Sequence, residues 1–417
     1  MKIFKFGGAS TKDADNVKNV LSVISQSSEM NLVVVISAMG KITNALELVV
    51  NDYFNSGNFE EALKSVSDFH LEIVNELFQN TSHFIYSELD SHFSDLNHFL
   101  KNNKSKNHAF VYDQIVSYGE LISSKIISIY FSENGIKNNW LDVRQCIKTD
   151  DNFRDAKVDW ETTEQKISER VHTTGITITQ GFVGAENTNN FTTTLGREGS
   201  DYTAAIFAYC LNAESVIIWK DVPGVLNADP RYFEKTQLLS KISYREAIEL
   251  AFYGASVIHP KTLQPLQRKK IPLYVKSFFS PLDQGTCVGT DVDLEPSVSC
   301  FILKKDLVLI SLSSLDFSFM MEDNIGDVFK WLHEYKMKVE LIQNSAISFS
   351  VCVSDKFGNL NALLDKLREK FRVKWNENVT LYTIRHFDPM EIKALRENKQ
   401  VLLKQETQET VQLVIKE

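Results

Sequence analysis

The run Leu32-Val-Val-Val-Ile36 carries no polar side chain on either face. A β-branched stretch so short and so continuous suits a strand buried on both sides. That calls for a parallel sheet covered by helices rather than a half-exposed antiparallel one. The residues before it fit the same plan. Lys2–Phe6 reads as a strand, Gly7-Gly8-Ala9-Ser10-Thr11 as a turn, and the stretch to about Ser27 as a helix with Val17, Val20, Leu21 and Ile24 on one face. Ser, Thr and Asp ahead of it offer helix caps. Residues 44–106 read as helical, with an exposed loop over 102–107. A further helix over about 112–134 leads into a mixed α/β region ending near Thr290. The class is α/β, a mostly parallel sheet sandwiched by helices.

From about Ser297 the texture changes. Only Gly326 and Gly358 remain, and β-branched segments alternate with helical ones over 306–312, 325–335, 338–342, 346–353, 359–370, 379–385, 389–397, 400–405 and 410–415. The order β-α-β-β-α, then β-α-β-β, is that of two small ferredoxin-like modules. Asp291–Ser299, with Pro296, is the expected boundary, giving one domain over 1–293 and another over 294–417. A chain of 417 residues suits two or three domains at roughly 150 residues each.

The balance of 45 basic against 54 acidic side chains, net −9, weighs against nucleic acid or an anionic membrane as the main partner. Cys146, Cys210, Cys287, Cys300 and Cys352 are scattered without a C-x-x-C pair, so neither a disulfide framework nor a zinc site is legible. They read as small buried side chains in a reducing compartment. The opening apolar stretch breaks at Gly7, too early for a signal peptide, and the other apolar runs are strand-length. A cytoplasmic protein is expected.

Glycine and proline concentrate mid-chain. Six of 17 glycines lie between Gly175 and Gly224, and seven of eight prolines between Pro223 and Pro296. Shaped loops on a rigid scaffold are where sites are built. Lys5 near a strand end, followed by Gly7-Gly8 and two hydroxyls, can cradle an anion with backbone N–H groups and a full charge, although alone the pattern is more often a plain tight turn. Ser37-Ala38-Met39-Gly40-Lys41-Ile42-Thr43-Asn44 again follows a strand, where α/β sheets bind ligands; its plainer reading is a helix cap by Thr43 or Asn44. Gly119-Glu120 is weak by itself. Leu195-Gly196-Arg197-Glu198-Gly199-Ser200-Asp201 is sharper. An α-amino acid needs an arginine for its carboxylate and an Asp or Glu for its ammonium. Asp221-Val-Pro-Gly224, then Asp229-Pro-Arg231, is a rigid double turn with cations for phosphates. His259, before Pro260, reads as a hydrogen-bonded structural residue.

In this order these pieces resemble the amino-acid kinase family, and within it the aspartate kinases. The matching stretches are Lys5–Ser10, Val35–Gly40, Gly119-Glu120, Leu195–Asp201, Asp221–Gly224, Asp229–Arg231 and Gly254–Pro260, and the C-terminal modules resemble paired ACT domains. The resemblance implies transfer of the γ-phosphoryl of ATP to the β-carboxylate of aspartate. The nucleophile is ionised at neutral pH, so positioning and charge neutralisation suffice. Lys5 and Asp201 would be catalytic. Lys5, Gly7, Gly8, Ser10, Lys220, Asp221, Leu226, Arg231 and Ser256 would face ATP, and Ser37, Thr43, Glu120, Arg197, Ser200 and Asp201 would surround aspartate. An amino-acid effector, lysine or threonine, would lie near Asn324, Ile325, Glu340, Asn344 and Ser345. Mg²⁺ is expected on the ATP phosphates, with no protein ligand named. A homodimer through the ACT sheet edges is expected. With the sequence ending at residue 417, so is a monofunctional enzyme without a homoserine dehydrogenase domain.

The chain departs from the family pattern at several points. Ala9 stands where Thr is usual, Glu198 replaces the second glycine of G-R-G-G, Lys220 stands for Thr, Leu226 for an aromatic residue, and Ser256 for a lysine that touches phosphate. Lys220 or Lys261 is a candidate to replace that charge. Asn344-Ser345-Ala346 replaces a Thr-Ser-Glu run. Two other readings follow: an acetylglutamate or glutamate 5-kinase type of enzyme, or a degenerate kinase that senses amino acids. Pairing of Glu120 with Arg197 points to a free amino acid, and retention of Lys5, Glu120, Arg197, Asp201 and Arg231 points to an active enzyme.

Overall fold

The computed structural model describes every residue except Ser28, Met30, Ser56, Thr173, Ser256, Val257, Phe317, Ser318, Asn398 and Glu417. Two compact units emerge. The first holds Met1–Val225, Leu238–Ile248 and the stretch ending at Leu294. The second holds Leu226–Gln237, a short stretch beginning at Glu249, and the chain from Glu295 onward.

In the first unit an eight-stranded sheet runs, edge to edge, Asn138–Leu141, Gly175–Gln180, Asn31–Ile36, Lys2–Phe6, Ser215–Lys220, Leu273–Ser277, Thr286–Gly289 and Lys241–Ser243. Neighbours are parallel except Leu273–Ser277 against Thr286–Gly289. Lys5 lies level with Val35 on one side and Ile218 on the other, so these central strands end together and their following loops leave the same edge. Helix Ala14–Gln26 starts at Asp13, whose carboxylate accepts the Asn16 N–H at 2.8 Å, and buries Val17, Val20, Val23 and Ile24. The stretch 44–106 proves to be three helices, Ile42–Asn55, Glu60–Leu77 and Ile85–Asn102. Neither Thr43 nor Asn44 caps the first. The helix opens instead on backbone bonds from the Ile42 N–H to the Met39 carbonyl (3.0 Å) and from the Asn44 N–H to the Lys41 carbonyl (3.0 Å), leaving both residues inside its first turn. Helix His108–Glu133, capped by Asn107, carries Ser117, Gly119, Glu120, Ser123 and Ser124 into the interior. A small second sheet joins Lys148–Thr149, Val183–Glu186 and Thr192–Thr194. His259 has the structural role read for it: its Nδ1 accepts the Lys261 N–H at 3.2 Å and caps helix Pro260–Lys269.

The second unit is built on one six-stranded antiparallel sheet, in the order Lys338–Asn344, Ser348–Ser354, Cys300–Ser313, Arg372–Arg385, Thr410–Lys416, Gln400–Glu406. The sequence shows two modules, and the structure fuses them. Its two central strands have 14 residues each and pair along their length, from Cys300 opposite Arg385 to Ser313 opposite Arg372. One end of each strand serves each module. The halves 300–305 and 372–378 escape sequence reading because lysines, Arg372, Asn376 and Glu377 break their apolar pattern. A register shift between Lys304 and Leu307, with Asp306 at φ 56°, marks the join. Helices Glu322–Glu334 and Leu360–Arg368 pack Val328, Leu332, Leu363 and Leu367 onto Ile310, Phe349 and Val351. Among the described residues no helix is long and apolar enough to cross a membrane.

Candidate active site

The strand ends of the first unit converge on a cavity of about 500 Å³. Lys5 lies one residue from the end of its strand and Lys220 ends the neighbouring one. Both reach Asp201, in the first turn of helix Gly199–Leu211: Lys5 Nζ is 2.7 Å from Oδ1 and Lys220 Nζ 3.8 Å from Oδ2. The Asp201 side chain is only 4% exposed. Burial pushes its pKa up, but the two ammonium groups outweigh burial and hold it below the ordinary carboxylate value. Asp201 thus stays ionised and fixes two cations at one point.

Glycine makes this approach possible. A Cβ on Gly8 would stand 2.7 Å from the Gly40 carbonyl oxygen, and the Gly40 N–H donates to the Gly8 carbonyl at 3.0 Å. The two strand-end loops are therefore stitched together over the cavity. On the far side, a Cβ on Gly181 would meet the Ser200 side chain at 2.5 Å, so the helix start is seated directly against the sheet.

Glu120 projects from the long central helix into the same cavity. It is 3% exposed, and its Oε2 is buried without a hydrogen-bond partner. Burial pushes its carboxyl up to about 8, against the pull of backbone N–H groups and Lys5. Arg197 is exposed on the loop before the helix and has no ion-pair partner among the described residues. Glu198, next to it, is held at φ 52°, where a glycine would rest without strain.

Of the residues expected to serve ATP or aspartate, Lys5, Gly8, Ser37, Thr43 and Glu120 line this cavity, as do Arg197, Ser200, Asp201 and Lys220. Gly7, Ser10 and Asp221 do not. Gly7 lies beneath the Lys5 ammonium, a Cβ there coming 3.2 Å from Nζ, and Ser10 is buried with its hydroxyl directed to the Trp219 carbonyl at 3.4 Å. Asp221 is exposed just beyond Lys220. Leu226 and Arg231 group with the second unit, where Arg231 forks onto Asp229, Nη2 to Oδ2 at 2.6 Å. Ser256 lies outside the described residues. Lys261 is already committed to Asp155 (2.8 Å) and the Leu195 carbonyl (2.9 Å), which leaves Lys220 as the extra cation in the cavity.

Tyr112, Arg154 and Phe182 line the cavity without any motif to announce them. Arg154 lies over the Tyr112 ring, 3.9 Å from its centroid, and pairs with Glu47 at 3.0 Å. Asp113 ties this corner together. Its carboxylate accepts from the Arg154 N–H (3.0 Å), the Thr194 N–H (2.9 Å) and the Thr194 hydroxyl (2.7 Å), while burial raises its pKa to about 6. The one sequence signal was an aspartate on the buried face of a helix. A larger concavity of about 910 Å³ is lined by Asp150, Asp151, Asp159 and Glu186 against Lys157 alone, the wrong charge for a triphosphate.

In the second unit, Asn324 and Ile325 lie in the first turn of helix Glu322–Glu334. Glu340, on the edge strand, is paired with Lys304 and with Lys338 (2.7 Å). Asn344 and Ser345 are exposed, with the Ser345 hydroxyl 2.6 Å from that of Ser348.

The amino acid kinase family profile matches residues 1–277. The lysine-sensitive aspartokinase 3 of Escherichia coli (strain K12) is 31% identical over 396 residues, covering 92% of this chain and 86% of that protein. The chain belongs to the amino acid kinase family, among its aspartokinases. It is 30% identical over 366 residues to the chloroplastic aspartokinase 1 of Arabidopsis thaliana, spanning 84% of this chain and 62% of that longer protein. The structure of E. coli aspartokinase III with lysine and aspartate aligns with a TM-score of 0.84 at 28% identity, over 99% of this chain and 95% of that one. The same protein with aspartate and ADP gives 0.81 at 28% identity, over 100% and 96%.

Proposed function

We propose that the chain transfers the γ-phosphoryl group of ATP to the β-carboxylate of L-aspartate, giving 4-phospho-L-aspartate, the entry to lysine, threonine and methionine biosynthesis. The observation that carries this is the meeting, within one cavity, of two ammonium groups fixed on Asp201 and a buried carboxyl whose Oε2 has no partner. Lys5 and Lys220, pinned by Asp201, supply positive charge where charge spreads over the transferring oxygens. Glu120 supplies the missing partner of an α-ammonium group. Arg197 takes the α-carboxylate, with Ser37, Thr43 and Ser200 as hydroxyl donors. The β-carboxylate attacks phosphorus, the bond to the ADP oxygen breaks, and no proton need be removed because the nucleophile is already ionised.

Mg²⁺ would supply charge neutralisation on the ATP phosphates. No group of three acidic, histidine or cysteine side chains able to hold a metal occurs among the described residues.

The C-terminal sheet suits self-association. Among the described residues its edge strand Lys338–Asn344 is unpaired on one side, and Phe319, Met321, Phe329, Ile342 and Ile347 are exposed. We place a homodimer contact there, and an amino-acid effector beside Asn324, Ile325, Glu340, Asn344 and Ser345. The E. coli relative is lysine-sensitive and was solved with lysine bound.

The deciding assay traps acyl phosphate as hydroxamate with ATP, Mg²⁺ and aspartate. Product with aspartate, none with glutamate, and none from Lys5→Ala is the expected outcome. A folded protein that binds lysine or threonine yet makes no aspartyl phosphate would replace this reading with that of an amino-acid sensor.

A further inference from the structure

A third cavity of the first unit, about 440 Å³, shares no residue with the catalytic one. Arg144, Lys148, Lys166 and Arg170 line it against a single carboxylate, Asp142. The four cations come from three elements: the turn Val143–Gln145, the strand Lys148–Thr149, and two successive turns of helix Trp160–Arg170. In a chain of net charge −9 such a concentration is local, not a reflection of composition.

The charges are not balanced from within. Asp142 is consumed by Arg144, which donates Nε to both carboxylate oxygens (3.0 and 3.1 Å) and Nη2 to one of them (2.6 Å). Lys166 reaches only Glu169, 3.3 Å away on its own helix and 47% exposed. Lys148 Nζ donates to the Asn190 side-chain oxygen (2.6 Å) and Arg170 Nη1 to that of Gln145 (2.9 Å). Both partners are neutral amides, so two positive charges face the cavity with no carboxylate in ion-pair range among the described residues. Burial, and then the neighbouring Arg170, hold the Lys148 ammonium below its ordinary pKa. Cations also favour the C-terminal turn of a helix, where the macrodipole is negative. That accounts for Arg170 but not for Lys166, one turn earlier, nor for Lys148 or Arg144, which arrive from elsewhere.

We propose that this cavity binds a small phosphate-bearing anion, with Lys148 and Arg170 as its principal contacts and Lys166 at the rim. A guanidinium fork beside ammonium groups matches phosphate oxygens. An open cavity of this size suits a small molecule rather than a polymer.

The test uses full-length protein carrying Lys5→Ala, which disables the catalytic phosphate contact, with and without Lys148→Gln and Arg170→Gln. Sodium pyrophosphate is titrated by calorimetry and by thermal melting, with ionic strength held constant by NaCl. Pyrophosphate at about ten times its Kd should raise the melting midpoint by about 2–4 °C in the Lys5→Ala protein. The double substitution should weaken binding at least tenfold. Displacement of pyrophosphate by ADP would identify a nucleotide's phosphates as the occupant, and failure of ADP to compete would identify a smaller free anion. A midpoint no higher than in matched NaCl, or binding unchanged by the double substitution, overturns the proposal. Should the double variant not fold, Lys166→Gln at the exposed rim serves instead. A several-fold loss of affinity is expected there, and an unchanged affinity refutes the site.

Discussion

Glu120→Gln separates what the carboxyl does for the substrate from what it does to the fold. In the ligand-free protein burial lifts its pKa from an ordinary value near 4.5 to about 8. A carboxyl with a raised folded-state pKa contributes stability that is fully present below the unfolded value. That stability is lost as pH rises through the folded one. Between pH 4.5 and 8 the native state therefore holds a proton that the unfolded chain has released, and stability falls with pH. At pH 7 the gap of about 2.5 pH units corresponds to roughly 3 kcal/mol. Glutamine, uncharged throughout, escapes this cost. Urea unfolding without ligands should show Glu120→Gln more stable than the wild type at pH 7, by up to that amount, with the difference shrinking toward pH 5.

Substrate binding should move the opposite way. An ammonium group needs the ionised carboxyl, and at pH 7 only about a tenth of the empty enzyme has it, at a cost of about 1.4 kcal/mol. The wild-type kcat/KM for aspartate should thus rise roughly tenfold from pH 6 to pH 7 and level off above 8. Glu120→Gln should lose that limb. It should also lower kcat/KM at pH 8 by roughly 10- to 100-fold, the worth of one charge-assisted hydrogen bond. A variant that is less stable at pH 7, or that keeps the wild-type pH profile, would refute the assignment of Glu120 to the ammonium.

Four other substitutions probe single claims. Lys220→Ala should reduce kcat/KM for ATP by roughly 10- to 100-fold, whereas Lys261→Ala, whose ammonium is held by Asp155 and Leu195, should leave it nearly unchanged; equal effects in a steady-state assay would contradict the choice of Lys220. His70 is fully buried, its Nδ1 held 2.7 Å from the Val66 carbonyl, and burial depresses its pKa from 6.5 to about 4. Its contribution is present above pH 6.5 and lost as pH falls toward 4, by roughly 3 kcal/mol, so His70→Leu should flatten the acid limb of a urea-midpoint profile. Glu198→Gly should raise stability by about 0.5–1 kcal/mol by relieving the left-handed backbone, and a lower urea midpoint would show that the glutamate has another hold on the loop.

What the sequence made legible divides along a physical line. Lys5, Asp201 and Lys220 stand at strand ends or a helix start, and their positions follow once the strands are recognised as parallel and ending together. The strand beside that of Lys5 could be recognised because burial on both faces writes an unbroken apolar run, Leu32–Ile36. Where burial is partial the writing fades. Residues 300–305 and 372–378 carry charges on exposed faces, so one sheet looked like two modules until the pairing of Cys300 with Arg385 joined them. Tyr112 and Arg154 enter the cavity through a contact between distant turns, fixed by Asp113, and no local pattern encodes a contact of that kind. Leu226 and Arg231 show the converse. The family resemblance, not a local pattern, set them beside the nucleotide; in the fold they group with the second unit, where the Asn227 side chain donates to the Ser299 carbonyl at 2.9 Å. A residue in a loop is held by the unit that supplies its backbone partners, and those partners lie outside any local motif. For that reason the cations at Arg144, Lys148, Lys166 and Arg170, spread over 27 positions, read as ordinary solvated charges in sequence and as a site only once folded.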